Sequence, residues 1–247
     1  MLSIIMLHYG DEHQPMAVEA IRHVLANTTG DFELLLWDNG GDWGSDIEDA
    51  RLRVHASGYR DSLARAYNRA VAQTTGDRIC IIHNDCFVPP RWNERLMEIA
   101  DDKTIAFPIV EMNEQSTKLR GVQPTVSWIP PSCCFVLTRS LLESIGGWDE
   151  QFEFCHFEDM DLFHRAQMSG VSLTQCPVTV FHIRGATRSV EAEARKANAA
   201  MMANQKLYVL KHGKPDKDGR WTAPMPVLAE MPKEALCHST TMATARI

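Results

Sequence analysis

Two short stretches of this chain carry residue types that could do chemistry. The first is Arg78-Ile79-Cys80-Ile81-Ile82-His83-Asn84-Asp85-Cys86-Phe87-Val88-Pro89-Pro90. Its run from Ile79 to Ile82 is long enough for a buried strand and too short for a helix, and it breaks abruptly into His83, Asn84 and Asp85. In an open parallel α/β sheet, ligands bind beyond the carboxyl ends of the strands, so a carboxylate there is presented to a ligand. Asp85 with His83 suits a hard divalent cation, Mn²⁺ or Mg²⁺, which would neutralise a diphosphate as Lewis acid and template. His182, which follows a later apolar strand, is an additional ligand that would favour manganese. The same Asp85 would also serve as a turn or N-cap residue before Pro89-Pro90, and a single histidine after a strand is often structural.

The second stretch is Phe154-Cys155-His156-Phe157-Glu158-Asp159-Met160-Asp161-Leu162-Phe163-His164-Arg165. Glu158 and Asp159 invite a general-base role, taking the proton of an attacking hydroxyl. One positioned carboxylate is worth about 10²–10⁴ in rate, or roughly 3–5 kcal/mol of barrier. Crowding among Glu158, Asp159 and Asp161 raises a carboxyl pKa and a helix N-terminus lowers it, so the two influences oppose each other. A solvated acidic first turn that complements the helix dipole explains the same residues without chemistry.

The elements that must position these stretches follow from periodicity. Leu2 to Leu7 reads as a first buried strand ending at His8-Tyr9-Gly10, and Pro15 opens a helix with Ala17, Ala20, Ile21, Val24 and Leu25 on one face. A second strand, Phe32 to Trp37, stops at Asp38-Asn39-Gly40-Gly41, where glycines permit a tight turn close to a ligand. A short strand near Leu52 to His55 precedes a helix that starts at Asp61-Ser62 and leads to the Ile79–Ile82 strand. Strands alternating with helices of this length imply parallel pairing, which brings His8-Tyr9, Asp38-Asn39 and His83-Asn84-Asp85 to one sheet edge. There Asp38 could accept from a base or ribose and Tyr9 could stack, although Asp38 also fits an Asx turn. Arg60 and Arg65 could face a diphosphate, as any surface helix could offer.

Beyond this half, a helix over Trp92–Ala100, a strand over Thr104–Val110 and a polar, aperiodic loop over Glu111–Pro124 are predicted. An apolar run from Cys133 to Leu137, a short helix over Arg139–Ile145, the turn Gly146-Gly147-Trp148-Asp149 and the acidic helix closing at Gly170 come next. An apolar strand ending at His182 is followed by an alanine-rich helix from about Val190 to Leu210. Residues 214–247 hold prolines without a clear period, so they read as an arm or a partly disordered tail.

A formal charge of −7 argues against a nucleic-acid binder, which needs a basic face to replace phosphate counterions. Seven cysteines without a C-x-x-C pair, and Cys133 adjacent to Cys134, suit neither a zinc site nor a disulfide framework, and read as reduced thiols of a cytoplasmic protein. The chain shows no secretory leader and no apolar run of the roughly 20 residues that span a bilayer. Peripheral contact with a membrane surface stays open.

The ordered motifs resemble those of family-2 glycosyltransferases, the GT-A fold that includes rhamnosyltransferase-like inverting enzymes. Ser3 to Tyr9 is similar to the family's opening strand, Leu36-Trp37-Asp38-Asn39-Gly40-Gly41 to its nucleotide-contacting turn, and Ala66-Tyr67-Asn68-Arg69-Ala70 with Thr75-Gly76-Asp77 to the segment before the D-x-D strand. His83-Asn84-Asp85 stands at the D-x-D position, with His83 in place of its first acid. Gly146-Gly147-Trp148-Asp149-Glu150, then Glu158-Asp159-Met160-Asp161-Leu162 with Arg165, resembles the acceptor-side motif, and His182 the histidine after the last core strand.

The resemblance implies a Rossmann-like, mostly parallel sheet flanked by helices. A GT-A domain would span residues 1–185, with a nucleotide-binding half at 1–110 and an acceptor half at 125–185, then a C-terminal helix at 186–213 and the tail. It implies transfer of a sugar from a nucleotide-sugar donor to a saccharide or lipid-linked saccharide, as in polysaccharide biosynthesis. His8, Tyr9, Asp38, Asn39, Arg60, Arg65 and Asn84 would stand at the donor, His83, Asp85 and His182 at a divalent cation, and Asp159 with Glu158 at the base in a single inverting displacement. Two other classes compete. A nucleotide-sugar-binding protein without turnover would keep the Asp38 site. A sugar-nucleotide pyrophosphorylase would need a basic glycine-rich loop after the first strand, where this chain has His8-Tyr9-Gly10-Asp11-Glu12.

Overall fold

The computed structural model of the chain describes residues 1–112, 130–183 and 191–213. Its strands are β1 (Leu2–His8), β2 (Phe32–Asp38), β3 (Leu52–Ala56), β4 (Arg78–Ile82), β5 (Cys86–Phe87), β6 (Thr104–Met112), β7 (Cys134–Thr138) and β8 (Ser172–His182). Its α-helices are α1 (Gln14–Asn27), α2 (Leu63–Ala72), α3 (Trp92–Ile99), α4 (Arg139–Ser144), α5 (Glu158–Met168) and α6 (Glu191–His212).

Period-two alternation divides the strand residues between two cores. Ile4, Met6, Leu34, Leu36, Cys80 and Ile82 face α1 and α3, whose Ile21, Val24, Trp92 and Leu96 are buried against them. Ile5, Leu7, Leu35, Trp37, Ile79 and Ile81 face the opposite way, onto Tyr67 and Ala70 of α2, Leu141 of α4 and Leu162 and Phe163 of α5. Ser62 caps α2 by accepting from Arg65 N–H, and Thr138 caps α4 by accepting from Leu141 N–H.

The strands form one sheet in the order β3-β2-β1-β4-β7-β6-β8-β5. The parallel pairing expected from β/α alternation holds for β3-β2-β1-β4 and for β6 with β8. It fails at β7, which runs against both β4 and β6, and at β5, which runs against β8, so the sheet is mixed. The segment expected to be a loop from Glu111 is still strand through Met112, paired with β8; the remainder of that predicted loop and the 214–247 tail lie outside the described residues. The short β5 was not anticipated, because two residues carry no periodicity.

Strand order also forces curvature. Laid flat, the four gaps between β4 and β5 would separate them by ~19 Å at about 4.8 Å per gap. Only residues 83–85 join the two strands, and the Cα path from 82 to 86 reaches about 14 Å at most. The β4-β7-β6-β8-β5 section must therefore curl, and its closing seam is the segment His83-Asn84-Asp85.

Candidate active site at the strand ends

In the β1/β2 register His8 lies beside Asp38, so the ends of these strands share one rim. Asn84 reaches the same rim, its amide donating to Nδ1 of His8 at 3.0 Å, while Trp43 meets the His8 ring edge-on at 4.9 Å between centroids. A cleft of about 360 Å³ opens here, lined by Tyr9, Gly10, Glu12, Gly40, Gly41 and Asp42. Asp38 is fully buried, and its carboxylate accepts from the Gly41 and Trp43 N–H groups, each at 3.1 Å. That is the Asx-type turn, and it aims the glycine backbone at the cleft. Gly40 has φ +89°, and a Cβ there would stand 2.7 Å from Arg60 N, so no other residue fits without moving the 59–60 backbone. Asn39 holds that segment from the other side, donating to Asp61 O and accepting from Asp61 N–H at 3.0 Å each.

Arg60 lies over the Tyr9 ring at 3.4 Å and over the Phe154 ring at 4.3 Å, so it joins the end of β1 to the stretch that leads into α5. Arg65 has a different neighbourhood: its guanidinium donates to Glu153 at 2.5 Å and lies 3.9 Å from Glu150, on the turn that leads into α5.

The curl brings His83, Asp85 and His182 together, with one ligand atom of each lying within 4.8 Å of the others. Nε2 of His182 is 3.0 Å from Asp85 Oδ1, an ion pair by distance. No N–H is aligned on that oxygen, however, and it is buried without a hydrogen-bond partner among the described residues. Burial opposes the His182 imidazolium, but the Asp85 carboxylate and Cys133 beside it outweigh that and raise the pKa to about 10. A buried, unsatisfied carboxylate oxygen flanked by two imidazoles fits a divalent cation. When bound, such a cation would supply electrostatic stabilisation of a diphosphate, held by Asp85, His83 and His182.

The three acids of the second stretch occupy three environments. Glu158 is buried, and desolvation together with the Asp159 charge pushes its pKa well above 4.5. Burial also works against Asp161, but Lys211, Arg165 and His212 surround it at 2.6–2.8 Å and hold its carboxyl below the usual range. Asp159 is half-buried, with Oδ1 accepting only from the N–H of Met160 at 2.7 Å among the bonds it makes here. Of the three, Asp159 is the carboxylate that is neither fully buried nor ringed by cations among the described residues, and so the one left open to a substrate hydroxyl.

The backbone that presents Asp159 is strained, with φ of +61° at Phe154, +79° at His156 and +72° at Phe157. Side chains from distant segments hold it there. Asn204 of α6, almost fully buried, donates to the carbonyls of Glu153, Cys155 and His156 at 2.8–3.0 Å and accepts from Glu153 N–H. Leu63 N–H donates to Phe154 O at 2.9 Å. Asn68 clasps Trp148 by two hydrogen bonds, to its carbonyl and from its N–H, while Tyr67 stacks on the indole at 5.0 Å. Tyr67 is buried there, and burial above all raises its pKa.

Two functional neighbours were not legible in the sequence. Asn204 lies in an alanine-rich helix with no motif around it. Cys86 and Cys133 were set aside because their spacing matches no metal pattern, yet both contact the His182 region; the six described cysteines are all free thiols. Cys134 turns away from Cys133 towards Cys80 and Cys176.

This architecture is that of the GT-A glycosyltransferases. The structure of GalNAc-T7 with UDP, GalNAc and Mn²⁺ superposes with a TM-score of 0.66 at 14% identity, over 88% of this chain and 48% of that one. The mannosyltransferase PcManGT from Pyrobaculum calidifontis, in complex with GDP-Man and Mn²⁺, gives 0.63 at 19% identity, over 86% and 65%. S. aureus TarS gives 0.58 at 12% identity, over 85% and 39%. The family description "Glycosyl transferase family 2" matches residues 3–163, and the chain belongs to that family. A curated relative, the uncharacterized protein y4gI of Sinorhizobium fredii (strain NBRC 101917 / NGR234), is 21% identical over 75% of this chain, which spans 25% of that protein. No helix among the described residues is long and apolar enough to cross a membrane.

Proposed function

We propose that the protein transfers a sugar from a nucleotide-sugar donor to a hydroxyl of a saccharide or lipid-linked saccharide by a single inverting displacement. The observation that carries this reading is that Arg60 stacks on Tyr9 at the cleft and on Phe154 in the segment that leads to Asp159, while Asn84, next to Asp85, bonds His8 at the same rim. The donor's base and ribose enter the cleft beside Tyr9, against the backbone of the Gly40-Gly41 turn that Asp38 and Asn39 hold in shape. His8 and Asn84 line the passage from that cleft to Asp85. The diphosphate lies against Asp85, His83 and His182, where Mn²⁺ or Mg²⁺ offsets its charge. Arg60, held between Tyr9 and Phe154, sits between donor and acceptor sides. Asp159 takes the proton of the attacking hydroxyl, and Glu158 lies beside it where burial disfavours a second negative charge.

UDP- and GDP-linked donors are the first to try, since two structural relatives carry a uridine nucleotide and GDP-Man respectively. Calorimetry of the full chain with nucleoside diphosphates is expected to show binding that strengthens with Mn²⁺. Replacing Asp85→Asn should remove most of that metal-dependent gain, a loss of about 10–100-fold in affinity. Equal affinity with and without metal, unchanged in the variant, would refute the cation role.

A further inference from the structure

Behind the His83–Asp85 pair the curled sheet assembles a second set of donors with a different chemical character. Cys86 and His182 are register partners across the antiparallel β5/β8 pair. Cys133, immediately before β7, offers its carbonyl to the N–H of His83 at 2.9 Å and to the thiol of Cys86 at 3.4 Å. One ligand atom each of Cys86, Cys133 and His182 lies within 4.8 Å of the others. Three segments far apart in sequence therefore place two sulfurs and one imidazole around a common point. Tetrahedral zinc sites need donors at about 2.0–2.3 Å from the ion, which this spacing permits, and three protein ligands leave a fourth position open. Thiolates select zinc-like ions, whereas the carboxylate-bearing set in front suits magnesium or manganese.

We propose that Cys86, Cys133 and His182 form a zinc-binding site, placed back to back with the oxygen-containing set and sharing His182 with it. Binding needs Cys86 and Cys133 as thiolates and His182 as neutral imidazole, so the ion replaces their protons, which leave to solvent. Zinc capture here does not require that the protein transfer sugars, so the two proposals can fail separately.

The test is titration of the reduced full-length chain with Zn²⁺ and with Co²⁺, whose thiolate complexes absorb in the near ultraviolet. One ion per chain is expected, with a sulfur-to-cobalt charge-transfer band that Zn²⁺ removes and excess Mn²⁺ does not. Cys86→Ser and Cys133→Ser should each abolish the band and weaken Zn²⁺ by more than the roughly 10–100-fold that loss of an outer-shell partner costs. Asp85→Asn should retain the band, with Zn²⁺ affinity falling by no more than the roughly 10–100-fold of an outer-shell partner of His182. Should either serine variant fold poorly, alkylation of the wild type decides: Zn²⁺ should slow modification of Cys86 and Cys133 while leaving the partly exposed Cys155 unaffected. Zinc binding that survives both serine changes, a band that Mn²⁺ displaces, or alkylation insensitive to Zn²⁺ would each overturn the assignment.

Discussion

The two rims of the cleft are built by different means. On the β1/β2 side the sheet register itself sets His8 beside Asp38, and the polar groups there are used up in shaping the turn: Asp38 on Gly41 and Trp43, Asn39 on Asp61. On the α5 side no ladder fixes the backbone. Phe154, His156 and Phe157 hold left-handed conformations because Asn204, Leu63 and Asn68 grip that segment and its neighbours from outside. A rim made by strand pairing is rigid wherever the sheet is intact. A rim made by side-chain clamps stores strain and can be loosened one contact at a time.

That contrast can be broken at several points. The largest effect is expected from Asp159→Asn: transfer should fall by about 10²–10⁴ while nucleotide affinity is unchanged. Steady-state rates with the best donor, beside calorimetry, measure both, and near-wild-type turnover would end the base assignment. Next comes Asn204→Ala, which leaves buried carbonyls unpaired and is expected to cost ~1–3 kcal/mol in unfolding free energy. Because the clamp serves only the α5 rim, kcat should drop several-fold with donor affinity kept, and Asn204→Asp, which has no N–H to give the Glu153, Cys155 and His156 carbonyls, should recover none of the stability. A parallel loss of donor affinity would show that the rims are not separable.

A smaller effect concerns Glu158. Its folded pKa lies above 4.5, so its neutral form contributes stability that is complete below pH 4.5 and is lost as pH rises through the raised value. Glu158→Gln should remove that slope, and thermal denaturation from pH 5 to 9 should show the variant gaining on the wild type at the alkaline end. The smallest change is expected from Arg65→Ala. Its contacts run to Glu150 and Glu153 at a partly exposed surface, a pairing worth about 0–1 kcal/mol, and donor affinity should stay within about twofold. A large affinity loss would place Arg65 at the diphosphate after all.

Most of the first half was legible residue by residue. The apolar run ending in His83-Asn84-Asp85 gave a strand and its polar tip, and Pro15 and Ser62 stand at helix starts. Local periodicity is enough there, because each parallel strand buries alternate faces against helices that neighbour it in sequence. In the acidic stretch the residue types announced a base but could not choose among Glu158, Asp159 and Asp161; burial of the first and the cations around the third make that choice.

What the amino-acid order determined alone, then, was the list of chemically able groups and the strand ends that carry them. Their convergence was decided by tertiary structure. With only residues 83–85 between β4 and β5, the sheet has to curl, and the curl carries His182, Cys86 and Cys133 to the same seam. No local pattern encodes that closure, because it arises from a chain too short to span the strands laid flat. Asn204 came to the site in the same way, through the docking of a helix whose own sequence carries no motif around it.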